Sequence, residues 1–214
     1  MTSILLTGFE PFGDSVTNPS WQAVARAAGR WDGRETLHVA KLPVVFGDCA
    51  DALKTLLDRY HPDVVIAVGQ AGGRSQITPE RIAINVDDAR IPDNSDAQPI
   101  DTAIVADGPA AYFSTLPIKA TVAAMRDRGI PAAVSNSAGT YVCNHLFYAL
   151  MHAVAVEVPT TRGGFVHVPF TPDQVVDTAQ PSLSLDLITD GLLTIIRATC
   201  NTAIDLAITC GTES

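Results

Sequence analysis

An α/β fold with a mostly parallel sheet between helices is what the order of apolar patterns along this 214-residue chain predicts. Two observations carry it. Asp63-Val64-Val65-Ile66-Ala67-Val68-Gly69 is a continuous apolar run, the signature of a strand buried on both faces of a parallel sheet. Short runs of this kind alternate with segments of helical period along most of the chain.

Ser3 to Thr7 reads as the first buried strand. The segment Met1 to Gly8 lacks a basic stretch and has only a brief apolar run, so a strand rather than a signal peptide is expected there. Asn18-Pro19-Ser20-Trp21 offers a capping amide and a first-turn proline for a helix that Gly29 would end. Thr36 to Val45 is strand-like. Gly47 to Tyr60 is a helix with Leu53, Leu56 and Leu57 on one face, closed by His61-Pro62. Between Gln70 and Gly108, glycine, proline and charge interrupt every pattern except Arg81 to Val86, which alternates like a half-buried strand. Helical period returns from Pro117 to Arg128, with Gly129 as its cap. Ala132 to Ser135 is expected as a strand, Tyr141 to Val156 as a helix and Gly164 to Val168 as a strand. A last helix starts near Ser184 and runs past Ile204, with Gly191 as an internal weak point. Without repeats or a linker, one domain spanning 1–214 is expected.

Composition narrows the function classes. Hydrophobic residues make up 47% of the chain and the mean hydropathy is +0.20, ample for a core and suggestive of a subunit interface. A net charge of −9 and a pI near 4.8 argue against nucleic acid or an anionic membrane as partner. No segment has the length of a membrane span. The cysteines, Cys49, Cys143, Cys200 and Cys210, form no C-x-x-C pair and show no zinc spacing, so no metal is expected and the thiols are expected free in a reducing cytoplasm.

Cys143 stands out among them. It lies in Ser137-Ala138-Gly139-Thr140-Tyr141-Val142-Cys143-Asn144-His145, a loop of small residues running into an apolar helix. A thiol in a first helical turn faces the positive end of the macrodipole, which lowers its pKa and favours the thiolate. It is therefore a candidate nucleophile, and it needs an imidazole and a carboxylate. His145 is two residues on, about 200° around the helix axis, and His152 is about 180° away, so both rings point elsewhere. His38 lies inside a strand and His61 at a helix end. His167, in Gly163-Gly164-Phe165-Val166-His167-Val168-Pro169-Phe170, sits near the carboxyl end of a strand, the edge where open α/β sheets place their sites. A histidine there can reach a helix-start cysteine, although a satisfied strand-end histidine is the plainer reading of the residue alone. Glu80 follows the strand that ends at Gly69 and emerges on the same edge. By spacing alone it reads as a solvated loop residue paired with Arg81 or Arg74.

Taken together, four blocks resemble the pyroglutamyl peptidase I (pyrrolidone-carboxylate peptidase) family of cysteine peptidases, which remove amino-terminal 5-oxoproline. They are Thr7-Gly8-Phe9-Glu10-Pro11-Phe12-Gly13 through Asn18-Pro19-Ser20-Trp21; Gly69 through Glu80-Arg81-Ile82-Ala83 to Asn85; Ser137 through Asn144; and Gly164-Phe165-Val166-His167-Val168-Pro169, with a weaker fifth at Ser182-Leu183-Ser184-Leu185. The resemblance implies a three-layer α/β/α sandwich of the phosphorylase/hydrolase-like type, a catalytic triad of Glu80, Cys143 and His167, and assembly as a homotetramer. Its implied substrates are peptides with an amino-terminal pyroglutamate, cleaved without a cofactor. Arg90 resembles a family arginine near the site and is a candidate oxyanion contact, beside backbone N–H groups at the Cys143 helix start. A neutral lactam ring suits an apolar slot, for which Phe9, Phe12, Ile91 and Val142 are candidates, with hydrogen bonds from backbone near Gln70 and from Asn18. Two positions depart from the family pattern. Asp14 stands where a second glycine is common. Tyr141 replaces a frequent phenylalanine and is expected to bring a hydroxyl to the pocket wall. The competing enzyme class is a nucleoside-phosphorylase-like transferase, with Ala71-Gly72-Gly73-Arg74 as a phosphate loop and Cys143 as a structural residue.

Overall fold

The structure is a computed structural model that describes residues 2–211. Its centre is a five-stranded sheet built from β1 (Ser3–Phe9), β2 (Thr36–Leu42), β3 (Val64–Gln70), β4 (Thr78–Pro79) and β7 (Arg162–Val168), in the order β2-β1-β3-β7-β4. The first four strands in that order run parallel, and β4 closes the edge antiparallel to β7. The continuous apolar runs are where the sequence puts them: Val64 to Gly69 and Gly163 to Val168 are buried throughout.

Strand alternation divides the core in two. Ile4, Leu6, Ile66 and Val68 face α1 (Pro19–Arg30), α3 (Ile118–Asp127) and α5 (Leu185–Asn201). Leu5, Val65, Ala67 and Phe165 face α2 (Asp48–Tyr60) and α4 (Val142–Val156). The result is the expected three-layer α/β/α sandwich. Among the described residues no helix is long and apolar enough to cross a membrane.

Local signals set most boundaries. Asn18 caps α1 by accepting the Ser20 N–H at 3.0 Å, and Pro19 occupies the first turn. Ser184 caps α5 through the Leu187 N–H. His61 ends α2 in a left-handed conformation, φ 41°, just before Pro62.

Five expectations are corrected. Strand β2 stops at Leu42, short of Val45, because the chain turns there to place Val44 and Phe46. Ala132 to Ser135 is extended but forms only isolated bridges, Ile77↔Ala132 and Glu80↔Ser135. The ladder is interrupted at Pro79, whose carbonyl accepts from Ser135 but which has no N–H to return. Regular pairing in 81–86 is confined to β5 (Ile82–Ile84), whose partner, the short strand β6 (Ala111–Phe113), carries no pattern of its own. Helix α5 ends at Asn201, before Ile204. Gly191 does not break the helix, and it sits in close packing, since a Cβ there would come within 2.3 Å of Ile77 Cδ1 and that side-chain tip would have to shift.

Candidate active site

The register of β7 with its two neighbours, parallel β3 and antiparallel β4, brings the candidate residues together on the α4 side of the sheet. Thr78 of β4 pairs with His167 of β7, and Glu80, two residues on, points to the same face. His167 Nδ1–H donates to Glu80 Oε1 at 2.7 Å, with the ring 3% and the carboxylate 0% exposed. Across the sheet, His167 pairs with Gly69 of β3. Because register partners in a sheet share a face, a side chain at 69 would point where the imidazole points. What occupies that space is Cys143: a Cβ on Gly69 would sit 2.8 Å from its Sγ. Glycine at this position is what lets the thiol approach the sheet beside His167. With Nδ1 engaged by Glu80, Nε2 is the nitrogen left to exchange a proton.

Cys143 is the second residue of α4, which begins at Val142 with Tyr141 as a cap that makes no side-chain hydrogen bond. The first-turn N–H groups, which have no acceptor within the helix, therefore stay available beside the sulfur. Next to it lies a small pocket lined by Phe9, Phe12, Asn18, Val44, Gln70, Tyr141, Val142 and Cys143, with about 290 Å³ of empty space including its mouth. Five of the six expected pocket residues meet here. Ile91 does not: it sits outside the lining and is 39% exposed. Val44 takes a place that its position at the end of a strand pattern did not signal.

Details of the wall differ from expectation as well. The Tyr141 hydroxyl turns outward and donates to the Pro92 carbonyl at 2.9 Å, so it fastens a loop and leaves the ring as wall. Asn18 uses its Oδ1 for Ser20 and one N–H for the Glu10 carbonyl, leaving little of the amide for a ligand. Gln70 accepts at Oε1 from Gln174. Arg90 is exposed and does not line the thiol pocket; it stands on an adjoining groove that shares Phe12 and Gln70 with it.

Electrostatics refine the resting state. Burial pushes the Cys143 thiol up to about 12, the Glu80 carboxylate adds to this, and Arg74 opposes it. Burial thus acts against the lowering expected at a helix start, and the thiol is raised. Burial also depresses His167, against the opposing pull of Glu80. Although burial works to raise it, Glu80 lies below the usual carboxylate range because it accepts from His167 and faces Arg74. The ligand-free site therefore rests as thiol and neutral imidazole over an ionised carboxylate.

Of the two arginines expected as partners of Glu80, Arg74 is the one found: it donates to Glu80 Oε1 at 2.7 Å as well as to Thr78 and the Ser137 carbonyl, so this pairing coexists with the triad. Arg81 instead goes to Asn136. Asn144, buried one residue after the thiol, binds Ile84 N–H and the carbonyls of Ile84 and Val86. His145 joins Asp87, through Nδ1 at 2.7 Å, to the Gly47 N–H through Nε2, bracing the loop beyond Val44. Sequence reading missed the roles of Asn144 and His145, because their partners are distant in the chain. Among the described residues no three His, Cys, Asp or Glu side chains gather as a metal-holding group.

A thiol backed by an imidazole and a carboxylate is the equipment of cysteine-type hydrolases, here carried on a parallel α/β sheet. A family model described as pyroglutamyl peptidase matches residues 2–202. The chain belongs to the pyroglutamyl peptidase family, the pyrrolidone-carboxylate peptidases. It is similar to the pyrrolidone-carboxylate peptidase of Bacillus licheniformis, 57% identical over 88% of each chain, and to that of Clavibacter michiganensis, 53% identical over 99% of each. Among solved structures it resembles pyroglutamyl peptidase I from Bacillus amyloliquefaciens (TM-score 0.95, 47% identity, 97% of this chain and 99% of that one). It also resembles the pyrrolidone carboxyl peptidase of Thermococcus litoralis (TM-score 0.90, 40% identity, 94% of each). Nothing in these likenesses supports a nucleoside-phosphorylase-like transferase.

Proposed function

We propose that this cysteine peptidase removes an amino-terminal 5-oxoproline from peptides, with Cys143 as nucleophile, His167 as acid and base, and Glu80 as the group that orients the imidazole. The observation that carries this reading is the Cys143 sulfur, which lies against Gly69 beside the Glu80–His167 pair and opens into a small apolar pocket at an uncapped helix start. The lactam ring enters the pocket between Phe9, Phe12, Val142 and the Tyr141 ring. An ordinary charged amino terminus would lose its hydration there without a counter-charge, and is rejected.

The resting protonation states define the first step. As Sγ attacks the carbonyl that joins 5-oxoproline to the next residue, His167 Nε2 takes the thiol proton. The S–C bond forms and the carbonyl oxygen becomes an oxyanion, held by N–H groups of the first turn of α4. Collapse breaks the C–N bond, and His167 returns the proton to the departing amine. Water then adds to the thioester with His167 as base, the C–S bond breaks, and Cys143 recovers its proton as 5-oxoproline leaves. Throughout, Glu80 accepts from Nδ1 and stabilises each transient imidazolium.

Hydrolysis of a pyroglutamyl-coumarin amide tests this directly. Wild type should release the fluorophore and Cys143→Ala should not, at equal thermal stability. A folded wild type without turnover refutes the substrate, and a competent Cys143→Ala refutes the nucleophile. Assembly as a homotetramer is part of the same proposal and rests on the family resemblance, while a cytoplasmic setting rests on the four unpaired cysteines; light scattering on the purified protein gives the subunit number.

A further inference from the structure

Beside the thiol pocket runs a wider, open groove lined by Phe12, Ser15, Gln70, Gly72, Gly73, Arg90, Phe170 and Gln180. Phe12 and Gln70 belong to both, so the groove begins where the pocket ends. Gln70 closes β3 and Phe170 lies just past β7, which sets the groove outside the carboxyl ends of two adjacent parallel strands, where such sheets hold ligands. The ring of Phe170 lies over Gly72 and gives the groove an apolar floor. Its rim carries the polar side chains of Ser15 and Gln180.

Arg90 is the only ionisable side chain in that lining. It is exposed, and among the described residues it makes no hydrogen bond and no ion pair. Other arginines near the site are engaged: Arg74 holds Glu80, and Arg81 holds Asn136. In a chain of net charge −9, the one charge in the lining of this groove is thus positive. A guanidinium offers a planar fork of donors that matches a carboxylate.

We infer that this groove receives the leaving side of the substrate and that Arg90 binds a carboxylate on it. That carboxylate is either the free carboxyl terminus of a very short leaving group or an acidic side chain immediately after 5-oxoproline. This rests on the proposed function, since it assigns the pocket to 5-oxoproline and the groove to the leaving residue. It gives Arg90 a role in selecting substrate rather than in holding the oxyanion, and it makes short or acidic pyroglutamyl peptides the favoured class.

Four substrates separate the possibilities: pyroglutamyl-alanine, its amide, pyroglutamyl-glutamate amide and pyroglutamyl-glutamine amide. Wild type should cleave at least one acidic member with kcat/KM about fivefold above its neutral counterpart, mostly through KM, and rising salt should erase the difference. The pair that shows it identifies the source, terminal carboxylate or side chain. Arg90→Gln should abolish the preference while leaving the neutral amides within about twofold, and Arg90→Lys should keep part of it. Equal cleavage of acidic and neutral members by wild type overturns the inference. So does an Arg90→Gln variant that loses acidic and neutral substrates alike, since that is the behaviour of an oxyanion contact. Failure of wild type to cleave any of the four refutes the proposed function instead.

Discussion

Cys143 comes up to the sheet, next to the register position of His167, through a gap that only a glycine leaves open. A methyl group at position 69 would stand 2.8 Å from the sulfur and equally close to the Phe165 ring, with that ring packed against Phe147. Gly69→Ala is therefore expected to lower kcat by about a hundredfold, because a displacement of order 1 Å in a reacting group is worth that much. Pyroglutamyl-coumarin amide kinetics beside a melting curve would show whether the loss exceeds any loss of fold. Glu80→Gln keeps the volume but removes the charge that steadies the imidazolium and pairs with Arg74; a fall in kcat of about 10²- to 10⁴-fold is expected. The raised thiol makes a further prediction. With Cys143 lifted to about 12 and His167 depressed, no thiolate–imidazolium pair is stored at neutral pH. Iodoacetamide inactivation of the free protein should accelerate steadily from about pH 7 to about pH 10. A rate that is flat across this range would show a preformed ion pair. Sequence alone does not report this: a helix start is visible in Tyr141-Val142-Cys143, but the burial that raises the thiol comes with its packing against Gly69 of β3, which no local pattern signals.

At the scale of elements, the start of α4 is held less by its own cap than by what its first turn binds. Asn144 supplies the Ile84 N–H with an acceptor and gives two carbonyls a donor, tying β5 to the nucleophile's helix. Asn144→Ala would leave these half-buried groups without partners, and a loss of about 1–3 kcal/mol in unfolding free energy by urea titration is expected, with activity falling as well. The strands and helices with continuous apolar or 3.6-residue periods, β1, β3, β7 and α1 through α5, were all legible. Between Gln70 and Ala111 only the strand at β5 and the irregular character of the rest were legible; the shape of that rest was not, because much of its order comes from distant partners. Asp93 accepts from Phe46, Ser95 and Ala97, while Asn94 donates to Glu10 and to the Pro11 carbonyl. Such bonds give an outwardly irregular stretch a fixed shape without any periodic signature. The same reason explains Ile91, whose apolar side chain suggested a pocket wall when its loop turns it outward.

For the molecule as a whole, the buried Glu80–His167 pair ties stability to pH. Glu80 is held below its unfolded value, so its contribution is complete above that value near 4.5 and is lost as pH falls through the folded one. His167 is depressed below 6.5; beneath that pH the unfolded chain takes a proton that the folded protein refuses, which again favours unfolding. Both act in one direction. The melting temperature should fall from about pH 7 to about pH 4, and His167→Gln should flatten the upper part of that decline, which differential scanning calorimetry would resolve. The layered architecture itself was readable from the alternation of runs, and the site's location came from the sheet's carboxyl edge. Which side chains complete the pocket was not, since Val44 arrives from a turn whose position depends on Glu10 and Asn94.

Residues beyond Asn201 leave the last helix and return to α3, whose own cap position, Pro117, offers no side-chain bond. Asp205 fills the vacancy, accepting from the N–H groups of Lys119 and Ala120 at 3.1 and 2.9 Å, while the Lys119 ammonium reaches the Ile208 carbonyl. This clasp lies past the stretch that the family model matches, which ends at 202. Asp205→Ala would unfasten a helix on the layer opposite the thiol. The price should be about 1 kcal/mol of fold stability with catalysis untouched, so this clasp serves endurance rather than chemistry.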